Sequence, residues 1–198
     1  KEFYGRRFTV SPSVLIPRPE SEDLISLFLE LTASEIAEKV LIDVGTGSGC
    51  LGITAKLERS NLSVILSDIS KPALNIAEKN ASALNADVHI QQQSLLNGQL
   101  KPVDYIFANL PYVDKNWDVS PELQYEPDIA LFAEDEGLKL ILQLISQAPR
   151  CLTSEGLLFI EADPQQHNRI IDEAVKNGFV KERVLNYILV LRFTGAKD

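Results

Sequence analysis

The chain has 198 residues with a formal net charge of −9 at pH 7, and 45% of its residues are hydrophobic. This length is enough for one domain with a substantial core, whereas no apolar run approaches the roughly 18–20 residues of a membrane span and no signal peptide is visible. The negative charge argues against a nucleic-acid-binding protein, since such proteins usually present a basic face.

The first 20 residues form a lead-in to the predicted domain. KEFYGRRFTVSP alternates polar and apolar residues around Gly5, which predicts a short β-hairpin. Two prolines in VLIPRPESE stop regular structure, and apolar residues then recur at helical spacing from Ser21 to Leu31. We expect Ser21 to cap this helix, because its hydroxyl can accept a bond from a backbone N–H group.

Strands and helices alternate along the rest of the chain. Strands are predicted over 39–44, 63–68, 88–92, 103–109, 156–162, 179–185 and 187–194, and helices from the glycine turn to about 58 and over 71–84, 135–148 and 164–177. Continuous apolar strands that alternate with helices predict a parallel sheet covered on both faces. No helix separates the last two strands, so we expect a closing hairpin. The fold class is therefore α/β: one domain over 1–198 with a doubly wound, Rossmann-like, seven-stranded, mostly parallel sheet and one antiparallel strand near the C-terminus.

A glycine turn, DVGTGSG at 43–49, connects the first sheet strand to its helix. Glycine allows positive φ and close approach of a ligand to the backbone, and the N–H groups of the helix beyond can bind a carboxylate or phosphate. A dinucleotide fingerprint reads G-x-G-x-x-G, but its last position falls on Cys50. The spacing G-x-G-x-G favours S-adenosylmethionine (AdoMet), which has no pyrophosphate. Asp43 would hold this loop or face the positive end of the ligand.

Polar side chains also follow the next two strands. Asp68 ends the second strand, where a carboxylate can accept bonds from both ribose hydroxyls. A surface acid or a cap for the following turn is the alternative. After the third strand, Leu95 offers an apolar contact for adenine and Ser94 a hydrogen bond.

The fourth strand ends in Asn-Leu-Pro-Tyr, residues 109–112. In a doubly wound sheet the first and fourth strands are neighbours at the switch point, so this tetrapeptide faces the glycine turn. One interpretation is a plain strand-ending turn, since Asn and Pro both favour turns.

A second interpretation is a clamp for a planar NH₂ group, whose lone pair is delocalised and poorly nucleophilic. The side-chain oxygen of Asn109 and the carbonyl of Leu110 can accept its two N–H bonds and direct the nitrogen toward a sulfonium methyl group. Pro111 restricts Leu110 to an extended shape, and Tyr112 can pack on the flat face of the substrate group.

Five segments resemble, in order and spacing, the HemK/PrmC family of protein-glutamine N5-methyltransferases, which are class I AdoMet enzymes. They are GRRFTVSPSVLIPRPESEDLI, DVGTGSGCLGI, SDISKPALNIAEKNA, ANLPYV and YEPDIALFAEDEGL. The resemblance implies methylation of the glutamine in the Gly-Gly-Gln loop of a peptide-chain release factor, or of a glutamine in a ribosomal protein, with S-adenosyl-L-homocysteine as the product. It implies cofactor contacts at Asp43, Gly45, Thr46, Gly47, Ser48, Gly49, Asp68, Ser94, Leu95 and Asn109, with Ser21 at the methionine end. It implies a substrate clamp of Asn109, Leu110, Pro111 and Tyr112.

Three features depart from the family pattern. Leu110 stands where the family usually has proline, which leaves the carbonyl but makes the turn less rigid. The chain starts at the hairpin that follows the family's helical N-terminal domain, and with Lys1 first and no Met present we expect residues upstream. The segment RVLNYILVLRF lacks the longer polar hairpin expected near the end.

Three other functions fit parts of the pattern. The sequence Asn-Leu-Pro-Tyr also occurs in rRNA adenine dimethyltransferases, so an adenine N6-methyltransferase on RNA or DNA is one alternative. Residues 116–138 disfavour it, because they hold seven acidic residues and no Lys or Arg. A non-catalytic AdoMet-binding module is the second alternative. An NAD-dependent reductase is the third, and it gives the tetrapeptide no role.

The remaining composition predicts the setting. Cys50, Cys151, His89 and His167 do not lie at metal-ligand spacing, so we expect no metal. Reduced cysteines favour a cytoplasmic protein. We expect a protein substrate, with no nucleic acid and no membrane as partner, and no feature of the sequence predicts an oligomeric state.

Overall fold

The computed structural model describes residues 1–99, 101–114 and 134–195. Near the N-terminus, β1 (Glu2–Phe3) pairs antiparallel with β2 (Arg6–Arg7), which is the predicted hairpin. A 3-10 turn, Pro19–Ser21, leads into α1 (Glu22–Leu31). Ser21 occupies the N-cap position, but its side chain makes no capping hydrogen bond. The predicted capping role is therefore wrong, and its hydroxyl bonds elsewhere, as described below.

Strands and helices then alternate as predicted. In chain order they are β3 (Lys39–Val44), α2 (Cys50–Glu58), β4 (Leu62–Asp68), α3 (Lys71–Ala83), β5 (His89–Gln92), β6 (Val103–Ala108), α4 (Lys139–Gln147), β7 (Leu152–Glu161), α5 (His167–Lys176), β8 (Phe179–Leu185) and β9 (Ile188–Phe193). Strands β3 to β9 form one sheet in the order β5-β4-β3-β6-β7-β9-β8. All neighbours are parallel except that β9 runs antiparallel to both β7 and β8. The predicted fold class is confirmed.

Two element boundaries differ from the prediction. Residues 135–137 all have positive φ, which a right-handed helix does not allow, so α4 begins at Lys139 rather than at 135. Strand β7 begins at Leu152, four residues before the predicted start, because an irregular register lets Leu152 pair with Val103. The rest of the predicted acidic connection, up to residue 133, lies outside the described residues.

An apolar cluster packs on each face of the sheet. On one face the ring of Phe28 in α1 lies edge-on to those of Phe107 and Phe159, with centroids 5.1 and 5.8 Å apart. On the other face α4 and α5 contribute Ile141 and Ile170 to a second cluster. Packing on both faces fixes the central strands relative to one another, and the carboxyl ends of these strands carry the candidate site.

The described ranges lack two kinds of feature. No helix there is long and apolar enough to cross a bilayer. The same residues hold no group of three or more His, Cys, Asp or Glu side chains that could bind a metal ion.

Candidate functional site

A cavity of about 240 Å³ opens at the carboxyl ends of β3, β4 and β6. Strands β3 and β6 are paired, and Val44 lies opposite Ala108 at their ends. The glycine turn therefore meets the Asn-Leu-Pro-Tyr segment at this edge of the sheet. Of the predicted site residues, the structure brings these to the cavity wall: Gly45, Gly47, Asp68, Ser94, Leu95, Asn109, Leu110 and Pro111.

The other predicted site residues lie behind this wall. They are Ser21, Asp43, Thr46, Ser48, Gly49 and Tyr112. Ser21 and Ser48 are each 2% exposed and Asp43 is 1% exposed. These side chains can shape the cavity wall, whereas direct contact with a ligand falls to the residues in front of them.

Asp43 holds the glycine turn from beneath. Its Oδ2 accepts bonds from the Thr46 hydroxyl at 2.6 Å and from the Gly52 N–H group at 3.0 Å. Gly52 lets helix α2 approach this carboxylate, because a Cβ at that position would overlap the Leu66 side chain. Of the two roles considered for Asp43, these bonds support the one in which it holds the loop.

We expect the Asp43 carboxyl to make the folded chain less stable as pH rises from about 4 to 6. Burial raises the pKa of Asp43 from 3.8 to about 6, while the bonds from Thr46 and Gly52 act to lower it and the charge of Asp68 acts to raise it. A carboxyl whose pKa is higher in the folded chain binds more protons when folded, so stability is lost between the unfolded and folded values. Two pH units correspond to about 3 kcal/mol.

Urea unfolding of the parent and of Asp43→Asn at pH 4 and pH 7 measures this effect. The free energy of unfolding of the variant, relative to the parent, should rise by about 3 kcal/mol between the two pH values, because only the parent buries this charge. The same pH dependence in both proteins would show that Asp43 does not titrate as described.

Asp68 joins the glycine turn to the start of α3. Its Oδ2 accepts the Gly47 N–H bond at 3.0 Å, and its Oδ1 accepts the Ser70 N–H bond at 2.8 Å. The carboxylate therefore caps the following turn, as the alternative interpretation held. Each oxygen has a further lone pair, and Asp68 also lines the cavity, so capping and ribose binding are compatible.

Sequence reasoning missed part of the cavity wall. Ile69, directly after Asp68, lines the cavity and is 57% exposed, and a large exposed apolar side chain there suits the flat face of an adenine. An apolar residue after a strand-ending acid was the available signal. Residues 13–15 of the lead-in also line the cavity, and their irregular sequence gave no sign of it.

Asn109, Leu110 and Pro111 of the Asn-Leu-Pro-Tyr segment line the cavity. Asn109 Nδ2 donates to Ser21 Oγ at 3.1 Å, so Oδ1 is the atom of the amide that is left for a ligand. Leu110 is 5% exposed, and a Cβ placed on Gly45 would lie 2.8 Å from its Cδ2. Packing under the glycine turn therefore constrains Leu110. In the family pattern a proline ring at this position supplies the constraint.

The Tyr112 hydroxyl is turned toward Glu161 and donates to Oε1 at 3.3 Å, and the predicted packing of the ring on the substrate stays a prediction. Its backbone carbonyl accepts a 2.8 Å bond from Gln166 Nε2. Burial, with the nearby charge of Glu161, raises the pKa of the Tyr112 phenol far above its usual range. Neither Glu161 nor Gln166 was singled out from the sequence, although Glu161 ends an apolar strand just as Asp68 does.

Known proteins resemble this chain along most of its length. Residues 22–124 match the model of the methyltransferase small domain. The chain is 39% identical over 192 residues to the release factor glutamine methyltransferase of Neisseria gonorrhoeae, and the match covers 93% of this chain and 68% of that protein. It spans 60–68% of the length of that relative and of three others with the same name.

Solved methyltransferase structures share the fold. A ribosomal protein L11 methylase from Lactobacillus delbrueckii subsp. bulgaricus is 26% identical with a TM-score of 0.65, over 90% of this chain and 81% of that one. A magnesium protoporphyrin IX methyltransferase from Synechocystis PCC 6803, solved with bound SAM, is 18% identical with a TM-score of 0.60, over 88% and 80% of the two chains.

Proposed function

The chain belongs to the family of release factor glutamine methyltransferases, and from this membership and the geometry of the cavity we propose that it methylates a glutamine side-chain amide of a peptide-chain release factor. The family resemblance read from the five sequence segments is confirmed, and the cofactor is AdoMet. The observation that carries the proposal is the meeting of Asn109 with the glycine turn in one cavity. We assign residues 1–198 to one catalytic domain that works in the cytoplasm with a protein, not a nucleic acid, as partner.

The cavity wall fits AdoMet. Gly47 has a φ of +54° and its backbone borders the cavity, yet a Cβ there would meet no protein atom within 4 Å, so the glycine leaves its backbone open to a ligand. Asp68 would hold the ribose hydroxyls, and Ile69 and Leu95 would enclose the adenine, with Ser94 as a hydrogen-bonding neighbour. When bound, the cofactor supplies an electrophilic methyl group on a sulfonium.

The clamp residues would activate the glutamine amide. Asn109 Oδ1 and the Leu110 carbonyl accept its two N–H bonds, so the nitrogen lone pair turns toward the methyl group. As the N–C bond forms and the S–C bond breaks, both oxygens stabilise the positive charge that develops on nitrogen. The methylated nitrogen then loses one proton to water. No general base is needed before transfer, because the N-methylated cation is strongly acidic.

Incubation with radiolabelled AdoMet tests the proposal. The acceptors are a release factor, the same factor with alanine in place of the glutamine of its Gly-Gly-Gln loop, a ribosomal protein preparation, and rRNA. We expect label in the unaltered release factor and none in its alanine variant. Label in rRNA instead would favour the adenine N6-methyltransferase, and label in the ribosomal protein alone would move the substrate within the protein-glutamine class.

Asp68→Ala should weaken AdoMet binding by about 10–100-fold, since hydrogen bonds to a charged group contribute about 1.5–3 kcal/mol. Asp87→Ala is a matched control, because Asp87 is exposed and lies outside the cavity. Isothermal titration measures both affinities. An affinity equal to that of the parent would remove Asp68 from the ribose site.

A further inference from the structure

A buried group of polar side chains lies behind Asn109, and we call Ser21, Asn109, Tyr112 and Glu161 the clamp network. Glu161 ends β7 and is 2% exposed. Its Oε1 accepts the Tyr112 hydroxyl at 3.3 Å, while its buried Oε2 has no hydrogen-bond partner among the described residues. Ser21 Oγ accepts the Asn109 Nδ2 bond at 3.1 Å. The network therefore continues from the cavity wall to a carboxyl group in the interior.

The acceptor oxygens of Glu161 give this network a direction. Burial raises the pKa of Glu161, and hydrogen bonding of Ser21, Tyr112 and Asn109 to it acts to lower the pKa, with Ser21 the largest of the three. A carboxyl oxygen that carries no proton only accepts hydrogen bonds, whereas a hydroxyl both donates and accepts. When Ser21 donates its single proton to such an oxygen of Glu161, the Ser21 oxygen is left to accept from Asn109 Nδ2.

We propose that Glu161 and Ser21 are positioning residues that hold the Asn109 amide with its oxygen toward the substrate, an inference that rests on the proposed function. An asparagine amide can turn by 180° and exchange its NH₂ for its oxygen. In the turned orientation its N–H groups would face the N–H groups of the substrate amide, and the clamp would lose an acceptor. Ser21 alone does not prevent this, because it could donate to the turned oxygen. A Glu161 oxygen that accepts the Ser21 proton prevents it.

Methyl-transfer kinetics test the inference. We expect Glu161→Gln and Ser21→Ala each to lower kcat by about 10–100-fold, the scale of a misaligned reacting group, with AdoMet affinity within about twofold of the parent. In an Asn109→Ala background the same substitutions should lower kcat little further, because the effects of residues that act through a shared partner are not additive. Full additional losses in that background would overturn the proposal. Glu78→Gln is the matched control, because Glu78 is exposed and lies outside the cavity.

Nuclear magnetic resonance gives a readout without catalysis. In protein labelled with ¹⁵N-asparagine, the side-chain NH₂ signals of Asn109 are those lost in Asn109→Ala. We expect them to shift in Glu161→Gln and in Ser21→Ala, while the signals of Asn61, which donates to the Ala37 carbonyl at 2.8 Å, stay in place.

The two readouts separate the possible failures. If the parent does not methylate a release factor, the proposed function is wrong, yet the resonance comparison still decides the orientation of Asn109. Unchanged Asn109 signals in both variants would overturn the inference. Ser21→Ala removes only one hydroxyl, so it keeps the test available if Glu161→Gln does not fold.

Discussion

Replacing Asn109 with alanine should lower the rate of methyl transfer by about 10²–10³-fold, the cost of losing one preorganised polar group, while AdoMet binding stays measurable. The amide nitrogen of Asn109 is held by Ser21 at 3.1 Å, so the oxygen is the part of this side chain that can accept a substrate N–H bond. Alanine removes that acceptor and leaves the backbone of the turn in place. The substrate nitrogen then has one acceptor rather than two.

Single-turnover reactions at saturating AdoMet measure this rate, and isothermal titration measures cofactor binding. Asn61→Ala is the matched control, because Asn61 donates to a backbone carbonyl on the surface and should leave the rate unchanged. Turnover of Asn109→Ala at the parent rate would show that the clamp is wrongly assigned. An equal loss in both variants would point to a general effect on the protein.

The position of the cavity could be predicted because few topologies satisfy the pattern of strands. An apolar run at 103–109 that follows two strand–helix units and a third strand has to pair beside the first strand if the sheet is doubly wound. In the structure Ile42 pairs with Ile106 and Val44 with Ala108. The local patterns therefore fixed the meeting of Asn109 with the glycine turn, although the two are more than 60 residues apart.

The clamp network could not be predicted in the same way. Ser21 and Asn109 come together because α1 packs across β6, and side-chain periodicity does not report which end of a helix lies over which strand end. The hydroxyl of Ser21 had an obvious local use as a cap, and in the structure it bonds over a distance of 88 residues instead. Tertiary contacts override local propensity at such positions.

The start of α4 shows a second limit of local patterns. Asp135 and Glu136 have φ of 58° and 55°; aspartate adopts positive φ more often than most residues, whereas glutamate seldom does. Their backbone is held from outside, since Gln166 Nε2 donates to the carbonyls of both Glu136 and Tyr112 at 2.8 Å. Gln166 thus ties the last residue of the clamp segment to the turn before α4.

Gly137→Ala should disrupt the two hydrogen bonds of Gln166 Nε2 more than any other glycine-to-alanine change away from the glycine turn. Gly137 has a φ of +82°, and a Cβ there would lie 2.6 Å from the carbonyl carbon of Tyr112, closer still to its oxygen, and 2.7 Å from Gln166 Nε2. Positive φ costs a non-glycine residue about 1–3 kcal/mol, and overpacking against backbone adds about 1–3 kcal/mol. We expect a loss of about 2–6 kcal/mol in the free energy of unfolding.

The rate of methyl transfer of Gly137→Ala should also fall, by about 10²-fold. Tyr112 has to move to admit the Cβ, and a shift of about 1 Å at a reacting centre lowers a rate by about that factor. Gly98→Ala separates strain from overlap, since Gly98 has a φ of +92° and a Cβ there would meet no atom within 4 Å. It should lose stability from strain alone and keep the parent rate. Urea unfolding measures the stability of both variants, and single-turnover kinetics measure their rates of methyl transfer. Equal effects in the two would mean that backbone strain, and not contact with Tyr112, explains the loss, and that the turn before α4 does not support the clamp.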